Sequence, residues 1–107
     1  MRLLLVAFLA LHCAAALAQL RTIPREAWMG TIRHVEAMTV EIDGQRLQLA
    51  PGALIRDVDN RLVLPASLQE PEPVRYMLDG AGMVQRVWIL SQPEKDALPP
   101  PPSPFPR

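Results

Sequence analysis

The sequence predicts an all-β fold, a small five- to seven-stranded antiparallel barrel-like domain, and three observations predict it. Apolar and polar residues alternate with a period of two across residues 27–90. Turn-forming residues interrupt that alternation at short intervals, at Asp43-Gly44, Pro51-Gly52, residues 57–60 and residues 79–82. The prolines of this stretch fall between the candidate strands, where a missing backbone donor does no harm to a sheet. The chain divides into residues 1–18, an export segment; 19–26, a short lead; 27–92, the barrel-like domain; and 93–107, a proline-rich end.

Residues 1–18 read as a signal peptide that forms a helix. Arg2 supplies the positive end, residues 3–11 are uninterruptedly apolar, and Ala16 and Ala18 place small side chains where a signal peptidase reads, so that the mature chain begins at Gln19. The apolar run is short for a membrane span, which needs about 20 residues to cross roughly 30 Å of hydrocarbon. Contact with the membrane is expected only through this segment, before cleavage. Processing also removes Cys13, the only cysteine, so disulfides do not stabilise the mature domain. Its stability must come from core packing, closure of the barrel or association.

The first strand follows from Trp28, Gly30 and Ile32 alternating with Met29, Thr31 and Arg33, with Gly30 marking a bend or bulge. Met38, Val40 and Ile42 give the second strand one apolar face. Asp43-Gly44 supplies a two-residue hairpin turn, and the chain returns with Leu47 and Leu49 inward. Pro51-Gly52 ends that strand, and residues 53–56 form a short extended piece leading to a polar turn at residues 57–60. Residues 61–64 give another strand, with Leu62 and Leu64 inward. Residues 65–73 form a connection with one helical turn at Ala66-Ser67-Leu68. Val74, Tyr76 and Leu78 resume the alternation, and residues 83–90 form the last strand, with Val87 and Ile89 facing opposite to Trp88 and Leu90. The expected core is Ile32, Val40, Ile42, Leu47, Leu49, Ile55, Leu62, Leu64, Val74, Tyr76, Val87 and Ile89, with Trp88 buried or at a junction. Residues 91–98 are polar and unpatterned. Six prolines among residues 99–107 favour an extended, disordered tail in which Phe105 is the candidate anchor for a partner.

Charge and motifs exclude more than they assign. Eleven basic and eleven acidic residues are interspersed, with no basic stripe of the kind nucleic-acid binding needs. Ser67, Ser91 and Ser103 lack a nucleophile-elbow pattern, and His34 is the only histidine of the mature chain. Asp57-Val58-Asp59-Asn60 begins like a calcium loop, but Arg61 occupies the next ligand position; the cluster reads as a turn held by its own side chains. Glu41 with Asp43 and Glu70 with Glu72 read as solvated charges. Trp28, Tyr76 and Trp88 read as core in so small a domain. No catalytic residue, metal ligand or cofactor is expected.

The stretch 30–90 resembles the small exported β-barrel domains, OB-like or SH3-like, of the bacterial envelope. The likeness is carried by Met29-Gly30-Thr31-Ile32, Val40-Glu41-Ile42-Asp43-Gly44, Leu49-Ala50-Pro51-Gly52-Ala53-Leu54-Ile55, Val74-Arg75-Tyr76 and Trp88-Ile89-Leu90. It implies a periplasmic or secreted, non-enzymatic binding or accessory module whose partner is an envelope protein or a small ligand. Two alternatives accompany that expectation: a subunit that completes a partner's sheet, and an enzyme with an unrecognised site.

Overall fold

The computed structural model describes residues 21–97 and 103–105. Ala16, Ala18 and Gln19, and with them the signal-peptide reading, lie outside the described residues. Five strands form the domain: β1 (Trp28–Glu36), β2 (Thr39–Ile42), β3 (Gln45–Arg56), β4 (Glu72–Leu78) and β5 (Val84–Ile89). They close in the order β1-β2-β3-β5-β4, with β4 pairing back onto β1. The result is a small closed barrel, compatible with OB-like and SH3-like build. All pairings are antiparallel except that of β3 with β5, which is parallel. The expected antiparallel barrel is thus corrected at this one seam, where β3 and β5 run the same way because β4 crosses between them in the chain and pairs antiparallel to β5. A short helix, α1 (Gln92–Ala97), follows β5.

Alternation along the strands fills the barrel. Ile32, Val40, Ile42, Val74, Tyr76, Val84 and Val87 are fully buried, and Leu49, Ile55 and Leu68 join them in one cluster. Each such side chain contributes about 1.5–3 kcal/mol through burial. Leu68 follows a 3-10 turn (Pro65–Ser67), and its carbonyl accepts the His34 amide at 3.0 Å, tying the β3–β4 connection to β1. Leu68 was expected only as part of a connection, and Val84 was not among the expected core residues. Both are buried.

The Asp43-Gly44 turn has the expected geometry, with φ of 50° and 83°. The Asp43 carboxylate accepts the Thr31 amide at 2.9 Å, and the Asp43 amide donates to the Thr31 carbonyl at 3.1 Å. Gly30 serves this contact rather than a bulge: a Cβ there would lie 2.8 Å from Asp43 Oδ2 and 2.9 Å from Ile42 Cγ2. The irregularity in β1 falls later, between His34 and Glu36. Residues 57–60 form the expected turn, in which the Asp57 carboxylate accepts the amides of Asp59 and Arg61, each at 2.9 Å.

Four further expectations are corrected. Pro51-Gly52 does not end a strand but lies inside β3, where the register slips between Leu49↔Val84 and Leu54↔Arg86. Here β3 leaves β2 for β5; Pro51 needs no ladder partner in the slip, and Gly52 takes the left-handed φ of 78° that it requires. Pro73 likewise sits within β4, paired with Thr31, so the prolines do not all fall between strands. Residues 61–64 make a single bridge, Arg56↔Leu62, and not a strand. Their phase is inverted: Val63 packs against the core while Leu62 and Leu64 are 59% and 76% exposed. Residues 92–97, read as unpatterned, form α1.

Candidate binding surface

Two arginines organise the end of the barrel where the lead meets α1. Arg21, whose side chain is 9% exposed, donates to Glu94 from Nε at 3.0 Å and Nη2 at 2.9 Å, and also to the carbonyls of Asp57 and Ile89. Glu94 also accepts the Ser91 amide and hydroxyl, each at 3.0 Å, which caps the start of α1. The Arg21 guanidinium and these Ser91 donors hold the Glu94 carboxyl below the usual carboxylate range, outweighing its partial burial. Arg75 donates to the carbonyls of Arg25 and Ala27 and so fastens the lead to β4. Open cavities of about 280 and 270 Å³ flank the Arg21–Glu94 pair, one toward Val58 and Asn60, the other toward Arg75 and Leu90.

A more distinctive arrangement lies on the outer wall made by β4, β5 and the second half of β3. Register places Met29, Arg75, Trp88 and Arg56 in one cross-strand row, on β1, β4, β5 and β3 in turn. Met77, Arg86 and Leu54 form the next row. These positions alternate with the buried Val74, Tyr76, Val87 and Ile55, and therefore face outward. Trp88 is half-buried and stands between two arginines, and neither row contains a carboxylate. In the flanking turns two carboxylates are engaged, Asp57 as described and Asp79 by the amides of Ala81 and Met83 at 2.9 Å each, and Asp59 is exposed. Arg56 donates to the Asn60 carbonyl at 3.0 Å. Among the described residues Arg86 makes no side-chain hydrogen bond or ion pair.

The aromatic residues thus divide. Tyr76 is fully buried, and its hydroxyl has no hydrogen-bond partner. Burial first, and the Asp43 charge second, push its phenol up to about 12. Trp28 packs against the core from its edge. Trp88 is neither core nor strand junction; it faces outward, because residue 88 has the opposite parity to Val87.

The serines, His34 and the paired carboxylates are scattered by the fold. His34 Nε2 lies 2.9 Å from the Ala37 carbonyl, and the Ser67 hydroxyl donates to the Leu64 carbonyl at 2.7 Å. Ser103 accepts the Phe105 amide at 3.2 Å. Glu41 pairs with Arg33 at 3.4 Å rather than with Asp43. Among the described residues no group of three or more His, Cys, Asp or Glu side chains is placed to hold a metal ion, and no helix is long and apolar enough to cross a membrane. Phe105 is half-buried and packs against the core cluster, not into solvent.

The Trp88 rows escaped the sequence reading because they depend on the parallel β3–β5 register, which joins Arg56 to Trp88 across a long separation. The α1 cap had a local signal, Ser91-x-x-Glu94, that reading passed over. No family model matches the chain, and neither the curated proteins nor the solved structures contain a match to it.

Proposed function

We propose that the chain is an exported, non-enzymatic envelope protein, periplasmic or secreted, that acts as a binding or accessory module through the outer wall of β4, β5 and the second half of β3. The carrying observation is the pair of cross-strand rows on that wall, which gather Trp88, three arginines and three apolar side chains without a carboxylate. Tryptophan, arginine and methionine are enriched where proteins bind one another, since each presents a large contact area with a polar or polarisable edge. The strand order, with β3 parallel to β5 and β4 closing onto β1, supports the OB-like over the SH3-like form. Barrels of that form commonly bind ligands on the β2–β3 face. Here that face carries Thr39, Glu41, Arg46 and Gln48, with no aromatic platform among them. Sheet completion is less favoured, because every strand already has a neighbour on each side.

The test is capture from envelope extract with mature protein, beginning at Gln19, alongside Trp88→Ala and Arg33→Ala proteins of verified fold. Partner recovery should be lost with Trp88→Ala and kept with Arg33→Ala. Recovery that survives both substitutions places binding elsewhere. Intact mass of the exported protein tests the export reading separately: it should correspond to cleavage between Ala18 and Gln19.

A further inference from the structure

Resting on the wall proposed above as the binding surface, we infer that its occupant is an acidic, extended segment of a protein partner, laid across Trp88 and paired with Arg56, Arg86 and Arg75. Charge complementarity sets the sign. The seven side chains of the two rows carry three positive charges and no negative one; in the turns beside them Asp57 and Asp79 are turned onto backbone amides, while Asp59 is exposed. Among the described residues Arg56 and Arg75 bond only neutral carbonyls and form no ion pair, and Arg86 is exposed without a side-chain partner.

Size and relief set the class. Four strands spaced about 4.8 Å apart and two rows about 7 Å apart define a patch of roughly 200–300 Å². A stable interface between folded surfaces buries about 800 Å² on each partner, so the patch suits a short linear segment instead. A membrane surface fits less well. A peripheral element buries its apolar face about 5–10 Å into the headgroup boundary, whereas Trp88 is half-buried. An extended segment presents alternate side chains to the same face, so acidic residues spaced by two would meet the arginines while an apolar residue covers the indole. Bidentate carboxylate–guanidinium pairing favours arginine over lysine in this role.

The experiment is fluorescence anisotropy of a fluorescein-labelled decapeptide alternating glutamate and leucine, titrated with mature protein, with the lysine-for-glutamate peptide as control. The glutamate peptide should bind and the lysine peptide should not, and raising the salt concentration should weaken the binding. Arg86→Glu, at an exposed position without side-chain bonds, should weaken it at least about tenfold with the thermal midpoint retained. Arg33→Glu, on the opposite wall, should leave it within about twofold. Equal binding of both peptides, or indifference to Arg86→Glu, overturns the inference. So does binding of phosphatidylglycerol vesicles, but not the peptide, through Arg86; that result assigns the wall to lipid. Tighter peptide binding after truncation behind Ala97 also overturns it, since the chain's own tail would then be the occupant. Capture from envelope extract that depends on Trp88 without peptide binding leaves the wall as the binding surface and removes only the acidic class. Loss of both removes the wall as well.

Discussion

Strand β3 belongs to two outer walls, and the two differ in whether their side chains satisfy one another. With β1 and β2, its first half builds a wall on which Arg33, Glu41 and Arg46 stand in one row. Glu41 there pairs with Arg33, and the Gln48 amide donates to the Thr39 hydroxyl at 2.8 Å. Beyond the slip at Pro51-Gly52, its second half joins β5 and β4 in a wall of arginine, tryptophan, methionine and leucine with no internal charge partner. Both walls cover the same core. Apart from Arg46, which is exposed and makes no side-chain bond among the described residues, the first wall is self-paired and gains little from a partner that must displace contacts already made; the second wall leaves its contacts to be made from outside. The difference lies outside the barrel, so fold stability and binding should respond to different substitutions.

Substitutions beneath the walls should have the largest effects, and equal ones on each side. Ile42→Ala, under the first wall, should cost about 2–5 kcal/mol by denaturant unfolding, and Glu41→Ala beside it close to nothing. A comparable loss at both positions would mean that β2 is turned over relative to this structure. Arg21→Ala should cost about 2 kcal/mol, since it leaves the Ile89 and Asp57 carbonyls and the Glu94 carboxylate without their shared donor. The part of that loss carried by the Glu94 pair should develop in the parent protein under acid, with the Arg21 bonds to the Asp57 and Ile89 carbonyls retained. Glu94 has a depressed pKa in the fold, so its contribution is present above the unfolded value of about 4.3 and disappears as pH falls through the folded one. Helicity measured at acidic pH should fall in the parent and already be low in Arg21→Ala.

Tyr76→Phe should match the parent or exceed it by up to about 1 kcal/mol, because it removes a buried hydroxyl with no partner. The raised phenol sharpens the test. Stability should hold below about pH 10 and decline as pH rises toward 12, where the unfolded phenol releases a proton that the folded one retains. The Phe variant should lack that decline. Smallest of all should be Arg86→Ala and Arg33→Ala, each within about 0.5 kcal/mol in stability. They should separate the walls only in binding.

The parts of the fold written in local pattern were legible. The period-two alternation located Ile32, Val40, Ile42, Val74, Tyr76 and Val87 in the core, and Asp43-Gly44 fixed the hairpin. Failures arose where a distant partner decides the outcome. Leu62, Val63 and Leu64 are three apolar residues in a row, so either phase is compatible with their sequence; the single bridge to Arg56 selects Val63 for the interior. Proline and glycine at 51 and 52 carry the same chemistry at a strand end as at a slip, and only the switch from β2 to β5 distinguishes the two. Leu68 is buried because its connection folds against β1, a contact between positions 34 residues apart in the chain. Trp88 shows the same limit at the candidate site. Its parity against Val87 was legible but its place was not, since it was expected in the core or at a junction, and what stands beside it depends on pairings with β4 and β3 that local spacing does not encode.

Arg21 spans the two extremities of the domain, from the lead to the end of β5 and α1. The chain therefore leaves the barrel beside the place where it enters, and a peptide linker of a few residues could join the two. New termini could then be opened at Gly80, an exposed turn residue around which an added Cβ meets nothing within 4 Å. In such a circular permutant β5 would come first in the chain, with α1, the linker, β1 and β2 between it and β3, so the parallel seam would have to close over a longer stretch of chain without any change of partner in the barrel. Its refolding rate would report how far late closure of the parallel seam limits the parent chain.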